Sequence, residues 1–409
     1  MSNKTLALLG GEPIVSEPLP AWPSLDKSVL GDIENILETG EINYWTGNRG
    51  RQFEADLESY LGDGHVITTT NGTSALHTAF TSLGISDGDE IICQPYTFIA
   101  SAFSIMQAGA KPVFADVDES HTLDASKLER HITPKTKAIL VVHTFGVPSD
   151  MDAINAIAKA HNLLVIEDCA QALGSQYDGQ LLGTVSDAGC FSFCQSKHIT
   201  TGGEGGAIFV GSEDLAWKCR SFRDHGFDVE KRLHLFELEQ KLPYIHVRLG
   251  FNFRMTEIQS AIGIKELAKF NSGNLEQRIK NGKRLTALLE EHPLVSHLPI
   301  DDEKRVNSYW WAPYILDMSL LDCDIKTFAN AMAAEGVPAY PVPWPEIYKE
   351  QAFANMEGSP SLEEWQADCP MAKTLGETTL VFHTHPVYDE HLMEAFYAAF
   401  NKVYEHYKK

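Results

Sequence analysis

The chain reads as an α/β protein: a large unit on a mainly parallel, mixed sheet flanked by helices, then a smaller α+β C-terminal unit. Three observations predict this. Between about residues 50 and 210, short apolar or β-branched runs alternate with helix-period stretches, the pattern of strand–crossover–strand units. Beyond about residue 255 that alternation gives way to long helical stretches and scattered strand candidates. With 409 residues, 44% apolar and 22% charged, the chain can bury a large core. No repeat, low-complexity segment or flexible linker interrupts it. The expected division is 1–262 for the large unit and 263–409 for the smaller one.

His65–Thr70 is the first expected strand, followed by a turn at Asn71-Gly72 and a helix from Thr73. Glu90–Gln94 and Lys111–Asp116 come next, with an amphipathic helix between them. Ala138–His143 and Leu163–Glu167 flank a helix through Met151–Ala160, and Phe191–Phe193 and Ala207–Val210 complete the series. Met255–Glu291 reads as helix, interrupted near Asn271-Ser272-Gly273. Tyr309–Leu316 reads as strand, Ile325–Glu335 as helix and Val337–Pro345 as a Pro-rich connection. A final amphipathic helix starts near Glu390.

A net charge of −23 repels phosphate backbones and anionic lipid, so neither nucleic acid nor a membrane surface is an expected partner. The seven cysteines are odd in number and form no CxxC or Cys/His metal spacing. No metal is expected, and a reducing cytoplasm is favoured over a secreted compartment. The opening Leu-Ala-Leu-Leu run, broken by Gly10 and Gly11, is too short for a signal sequence. No apolar run is long enough to span a bilayer.

Ligands of an open parallel sheet collect at the carboxyl ends of its strands, and four such ends carry candidate chemistry. Asn71-Gly72-Thr73-Ser74 offers unpaired N–H groups at a helix start, suited to an anion or to ordinary capping. Pro95-Tyr96-Thr97-Phe98 places an aromatic where it can stack on a planar ring or pack in the core. Asp168, ending an apolar strand in Ile166-Glu167-Asp168, can hold a pyridine nitrogen protonated or cap a helix, and Gln171 follows about one turn later. Lys197 lies between the Phe191-Ser192-Phe193 run and the loop Thr200-Thr201-Gly202-Gly203-Glu204-Gly205-Gly206. That is a place for an imine-forming lysine or, taken alone, a surface one. The ordered set of anion loop, aromatic, acid and lysine is the signal.

The segments Asn71–Leu76, Glu167–Gly174, Phe191–Gly206 and Leu249–Ile262 resemble the DegT/DnrJ/EryC1/StrS family of sugar aminotransferases, and the resemblance covers nearly the whole chain. It implies the fold-type-I architecture of pyridoxal-phosphate-dependent transferases and a homodimer with shared active sites. By it, Lys197 holds the cofactor as a Schiff base and shuttles a proton, Asp168 pairs with the pyridinium nitrogen, and Gln171 bonds the phenolic oxygen. Gly72, Thr73 and Ser192 bind the phosphate, Phe98 stacks on the ring, and Asn252 reaches the phosphate of the neighbouring subunit. The glycine loop is one glycine longer than the commonest form, and His198 follows the lysine where other residues are common. His198 is read as lining the substrate pocket or packing beside it.

The resemblance also implies L-glutamate or L-glutamine as amino donor. The acceptor is a keto sugar carried on a nucleotide diphosphate, or a keto-cyclitol, because the opening Leu-Ala-Leu-Leu-Gly-Gly-Glu-Pro-Ile resembles the branch containing inosose aminotransferases. Trp310, Trp311 and the Tyr340–Trp344 segment are candidate substrate-wall residues, with core packing as the alternative. Two rivals remain: a dehydratase or aromatising synthase using the same cofactor, and a non-catalytic cofactor-binding regulator. Dehydratases of the family carry histidine at the lysine position, so the retained Lys197 favours transamination.

Overall fold

The computed structural model describes residues 5–230, 245–355 and 360–409. Each strand expected between residues 65 and 210 forms. They are β1 (His65–Thr69), β2 (Glu90–Cys93), β3 (Lys111–Phe114), β4 (Thr136–Val142) and β5 (Leu164–Asp168). A small hairpin, β6 (Gln176–Tyr177) and β7 (Gln180–Leu181), precedes β8 (Ala188–Ser192) and β9 (Gly206–Val210). Among the described residues, seven strands form one sheet in the order β1-β9-β8-β5-β4-β2-β3. From β8 to β3 the pairing is parallel, and β9 runs antiparallel to both neighbours. The helices Gly72–Ser82, Ala100–Gln107 and Met151–His161 supply crossovers. β8 and β9 are joined by a loop without one, so the chain returns antiparallel and Lys197 sits in that return.

Alternation along each strand feeds two cores. Ile91, Leu140, Ile166 and Ile208 enter one, while Ile92, Ile139, Val165 and Phe209 enter the other. Both faces are covered, which is why these strands read as continuous apolar runs. β8 begins three residues earlier than expected because Ala188 and Gly189 carry little strand signal, and Phe193 lies beyond its end.

In the C-terminal part, β10 (Val295–His297), β12 (Trp311–Leu316), β13 (Ala339–Pro341) and β14 (Thr379–His383) make an antiparallel sheet in the order β10-β12-β14-β13. The short β11 (Arg305–Val306) pairs instead with β6. β13 falls within the stretch expected to be only a Pro-rich connection; at the sheet's edge it tolerates Pro341. The helices Glu257–Lys269 and Leu275–Leu289 are separated at Phe270–Asn274, where Gly273 adopts φ +151°. The expected division at 262/263 thus falls inside a helix. Leu6 packs into the third core with Phe328, Phe382 and Phe400, and Glu335 accepts the Ala7 and Ile14 N–H groups at 2.9 and 3.0 Å.

One buried carboxylate ties β1 to its surroundings. Glu54, on the helix Arg49–Leu61, accepts the Thr68 N–H (2.9 Å), the Tyr44 hydroxyl (2.8 Å) and Arg223 Nη1 (2.7 Å). Arg223 is fully buried and lies 4.2 Å over the Tyr44 ring. Removing one member of such a pair strands the other charge, at a cost of about 3–5 kcal/mol. Glu54→Ala is therefore expected to lose about that much in urea unfolding. A loss below about 1 kcal/mol would show that the pair does not hold β1.

Candidate active site

Because β1, β8, β5, β4 and β2 point the same way, their carboxyl ends converge on one cavity of about 560 Å³. It is lined by Gly72, Thr73, Phe98, Asp168, Gln171, Ser192, Lys197, Trp310 and Trp344, with Thr97, Ser101, Glu204 and Trp311 among their neighbours.

The anion loop forms from a capped helix. Asn71 Oδ1 accepts the Ser74 N–H at 2.9 Å, and Ser74 Oγ closes a reciprocal bond to the Asn71 N–H. The N–H groups of Gly72 and Thr73 have no intrahelical acceptor and are left for a ligand. Residue 72 must be small here: a Cβ on Gly72 would sit 2.8 Å from Ser192 Cβ. A Cβ on Gly206 would sit 2.4 Å from the Asn71 carbonyl oxygen. These contacts bring the Ser192 hydroxyl against the helix start.

Asp168 ends β5 and is buried. Its Oδ2 accepts Ser101 Oγ at 2.8 Å and its Oδ1 accepts the Ala170 N–H at 3.1 Å. Burial raises its pKa, opposed by those two bonds and by the charges of Lys197 and His143. A cation brought to its open face would oppose that shift. Thr97 Oγ1 lies 3.2 Å from Ser101 Oγ and extends the chain of hydroxyls. Gln171 Oε1 accepts the Phe145 N–H at 2.7 Å, which fixes the amide orientation and leaves its nitrogen to donate. Phe145 holds φ +62°, a costly conformation for a bulky residue that this bond helps to maintain.

Lys197 is half-buried, with Nζ 4.0 Å from the centre of the Trp310 ring. Burial pushes its pKa down to about 8, opposed by Asp168 and Cys194. Three near-parallel indoles form the opposite wall: Trp310 stacks on Trp311 at 4.1 Å, and Trp311 faces Trp344 at 6.2 Å. Phe98 is 53% exposed, which frees its face for a ring.

Two expected residues lie elsewhere. His198 does not line the cavity; its buried ring bonds Ser308 Oγ at 2.9 Å and meets Phe270 edge-on. Asn252 is exposed, on a segment bridged to Asp224, and is not part of the lining of this chain's own cavity, as a residue serving the neighbouring subunit would be. Ser101, one turn beyond Thr97, was missed; its only sequence signal is a hydroxyl at the start of a helix behind a strand end. Buried His143, Glu167 and Cys169 also come within metal-ligand distance of one another. Yet Glu167 already accepts the Gly183 and Val185 N–H groups, Ser186 Oγ and His143 Nε2, which takes up its lone pairs.

The donor set therefore fits pyridoxal phosphate: N–H and hydroxyl donors for the phosphate, a buried acid for a ring nitrogen, an amide donor, and a lysine of lowered pKa. Residues 23–399 match the profile of the DegT/DnrJ/EryC1/StrS aminotransferase family. The chain is 34% identical to the UDP-N-acetyl-3-dehydro-α-D-glucosamine 3-aminotransferase of Acidithiobacillus ferrooxidans, over 88% of this chain and 90% of that one. It is 31% identical to the L-glutamine:2-deoxy-scyllo-inosose aminotransferase of Streptoalloteichus tenebrarius, over 98% of each. The solved aminotransferase from Psychrobacter cryohalolentis superposes with a TM-score of 0.89 at 33% identity, covering 95% of this chain and 100% of that one. Family profile, relatives and site chemistry agree: the chain belongs to the DegT/DnrJ/EryC1/StrS aminotransferase family and is a pyridoxal-phosphate-dependent aminotransferase.

Proposed function

We infer that the chain moves an amino group from L-glutamate or L-glutamine to the ketone of a nucleotide-linked sugar. The observation that carries the mechanism is that Asp168 and Lys197 line one cavity together with a built anion loop. Two relatives carry the substrate reading, one named for a UDP-linked keto sugar and one for glutamine and an inosose. The second supports a keto-cyclitol as the alternative acceptor, because it matches over 98% of both chains.

When bound, pyridoxal phosphate supplies an aldehyde that takes up amino groups and a ring that withdraws electrons. Gly72, Thr73 and Ser192 would hold its phosphate through N–H and hydroxyl donors, and Phe98 would cover the ring face. Asp168 would keep the ring nitrogen protonated, with Ser101 and the Ala170 N–H holding that carboxylate in place. Gln171 would donate to the ring oxygen. Lys197 would be the amine that anchors the cofactor, and once freed it would take and return protons at the donor α-carbon as base and acid. Its lowered pKa leaves a useful neutral fraction near neutral pH. The tryptophan wall turns water away from that amine.

Exposed Leu30, Leu37, Val247, Leu249 and Phe251 support a homodimer, with Asn252 on the same segment as the last three reaching the partner's phosphate site. Residues 1–262 would then be the cofactor-binding unit and 263–409 the smaller one. No helix among the described residues is long and apolar enough to cross a membrane, and the uniformly free cysteines support a cytoplasmic setting.

Three outcomes are expected. Lys197→Ala should lose the visible imine band and slow the glutamate or glutamine half-reaction by at least about 10²–10⁴-fold; a normal half-reaction would remove Lys197 from the mechanism. Wild-type imine formation with added cofactor should rise through about pH 8 and level off above it, since only the neutral amine attacks. A rise centred near the ordinary lysine value would deny the burial effect. Mixing Lys197→Ala and Asn252→Ala subunits should restore activity in hybrid dimers, and failure would place Asn252 outside the partner's site. A screen of nucleotide-linked keto sugars and inososes separates the two acceptor readings.

A further inference from the structure

Trp310 touches the lysine segment twice. Its Nε1–H donates to the Ser196 carbonyl oxygen at 2.7 Å, one residue before Lys197. Its ring face lies 4.0 Å from Lys197 Nζ. The indole is 3% exposed and stacked at 4.1 Å on Trp311, so it has little freedom to follow the lysine. The backbone behind it is pinned as well. Buried Arg278 donates from Nη1 to the carbonyl oxygens of Trp310 (3.2 Å) and Tyr309 (3.4 Å), and Thr384 Oγ1 donates to the latter at 3.0 Å. Among the described residues Arg278 forms no ion pair with a carboxylate, so its guanidinium is committed to these carbonyls, to His385 at 3.4 Å and to the Trp22 ring face at 5.2 Å. Packing alone would explain a buried tryptophan. It would not require both a bond to the lysine's own loop and a face turned to its amine.

We propose that Trp310 is a positioning residue for Lys197: its N–H fixes where the lysine loop starts, and its ring face holds the side-chain ammonium whenever the lysine is free. This rests on Lys197 being the imine-forming lysine. The lysine is held at both ends, by the bond to the Ser196 carbonyl before it and by the ring face under its amine, so the amine waits in one place between attacks. The ring's negative face favours the charged form. Asp168 and Cys194 act in the same direction, His198 beside it is buried, and burial opposes all of them. Trp310 therefore keeps Lys197 from being neutral too early, and holds it ready to give back a proton.

The test uses the full-length chain freed of cofactor, so it does not depend on turnover. Trace acetylation across a pH series, with mass spectrometry of the Lys197 peptide, gives the pKa of that amine directly. Trp310→Met keeps apolar bulk and loses the ring face; the Lys197 pKa should fall by about 0.4–1.5 units, the range a cation–π contact supplies. Trp310→Phe keeps a face and loses the N–H. It should hold the pKa near wild type while imine formation with pyridoxal phosphate slows severalfold. An unchanged or raised pKa in Trp310→Met overturns the ammonium-holding role, and a wild-type imine rate in Trp310→Phe overturns the anchor. If Trp310→Met does not fold, as read by circular dichroism, Trp310→Leu carries the same pKa comparison. Lys197→Ala, losing the imine band, tests the underlying assignment separately.

Discussion

The site depends on two adjacent carboxylates at the end of one buried strand. Glu167 and Asp168 follow each other on β5, so the strand's alternation sends them to opposite faces. Glu167 meets four donors and becomes part of the frame, joining β5 to His143 and to the 183–186 loop. Asp168 meets two and keeps the rest of its acceptor capacity open to the cavity. A buried carboxylate left in that state is unfavourable by itself. The same chemical group is therefore structure on one face of the sheet and binding capacity on the other.

Topology converts that single acid into a site. β4 and β8 flank β5 in parallel and β1 runs the same way beyond β9, so their carboxyl ends share one side of the sheet, and Lys197 lies in the antiparallel return into β9. Close backbone approach is the condition, which is why residues 72 and 206 are glycines with no room for a Cβ. A second condition is the turn after β4. There, Phe145 holds φ +62°, and a Cβ on Gly146 would lie 2.9 Å from Asn307 Oδ1. That turn orients Gln171 and also meets Trp311 and Trp344. The tryptophan wall and the acid side of the cavity thus share one strained turn of backbone.

Strands buried on both faces announce themselves as continuous apolar runs, so β2, β4 and β5 and the chemistry at their ends were legible in the sequence. Asn71–Ser74, Asp168 and Lys197 stood out because polar groups directly after such runs need a reason. What stayed hidden depends on tertiary partners. β13 contains a proline and exists because it is an edge; β8 starts in small residues whose strand state is set by β5 and β9. Ser101 is one serine among many until Asp168 lies 2.8 Å away. His198 adjoins Lys197 in sequence, yet the loop turns it inward to Ser308. Adjacency along an irregular loop carries no information about direction, whereas position along a strand does.

Lys197 and Asp168 are each pushed by burial toward the neutral form, and each charge partly protects the other. That balance has a direction once the cavity fills. A cation placed against Asp168 satisfies the carboxylate and cancels the negative field that favours protonated lysine. With that field weakened, desolvation would meet less opposition and the amine would shift further toward its neutral form. When the cation leaves, Asp168 again favours the ammonium, and the face of Trp310 is there to receive it. On the roles proposed for them, filling the acid side of the cavity and activating the lysine would be one electrostatic event, carried by the two residues the strand ends bring together.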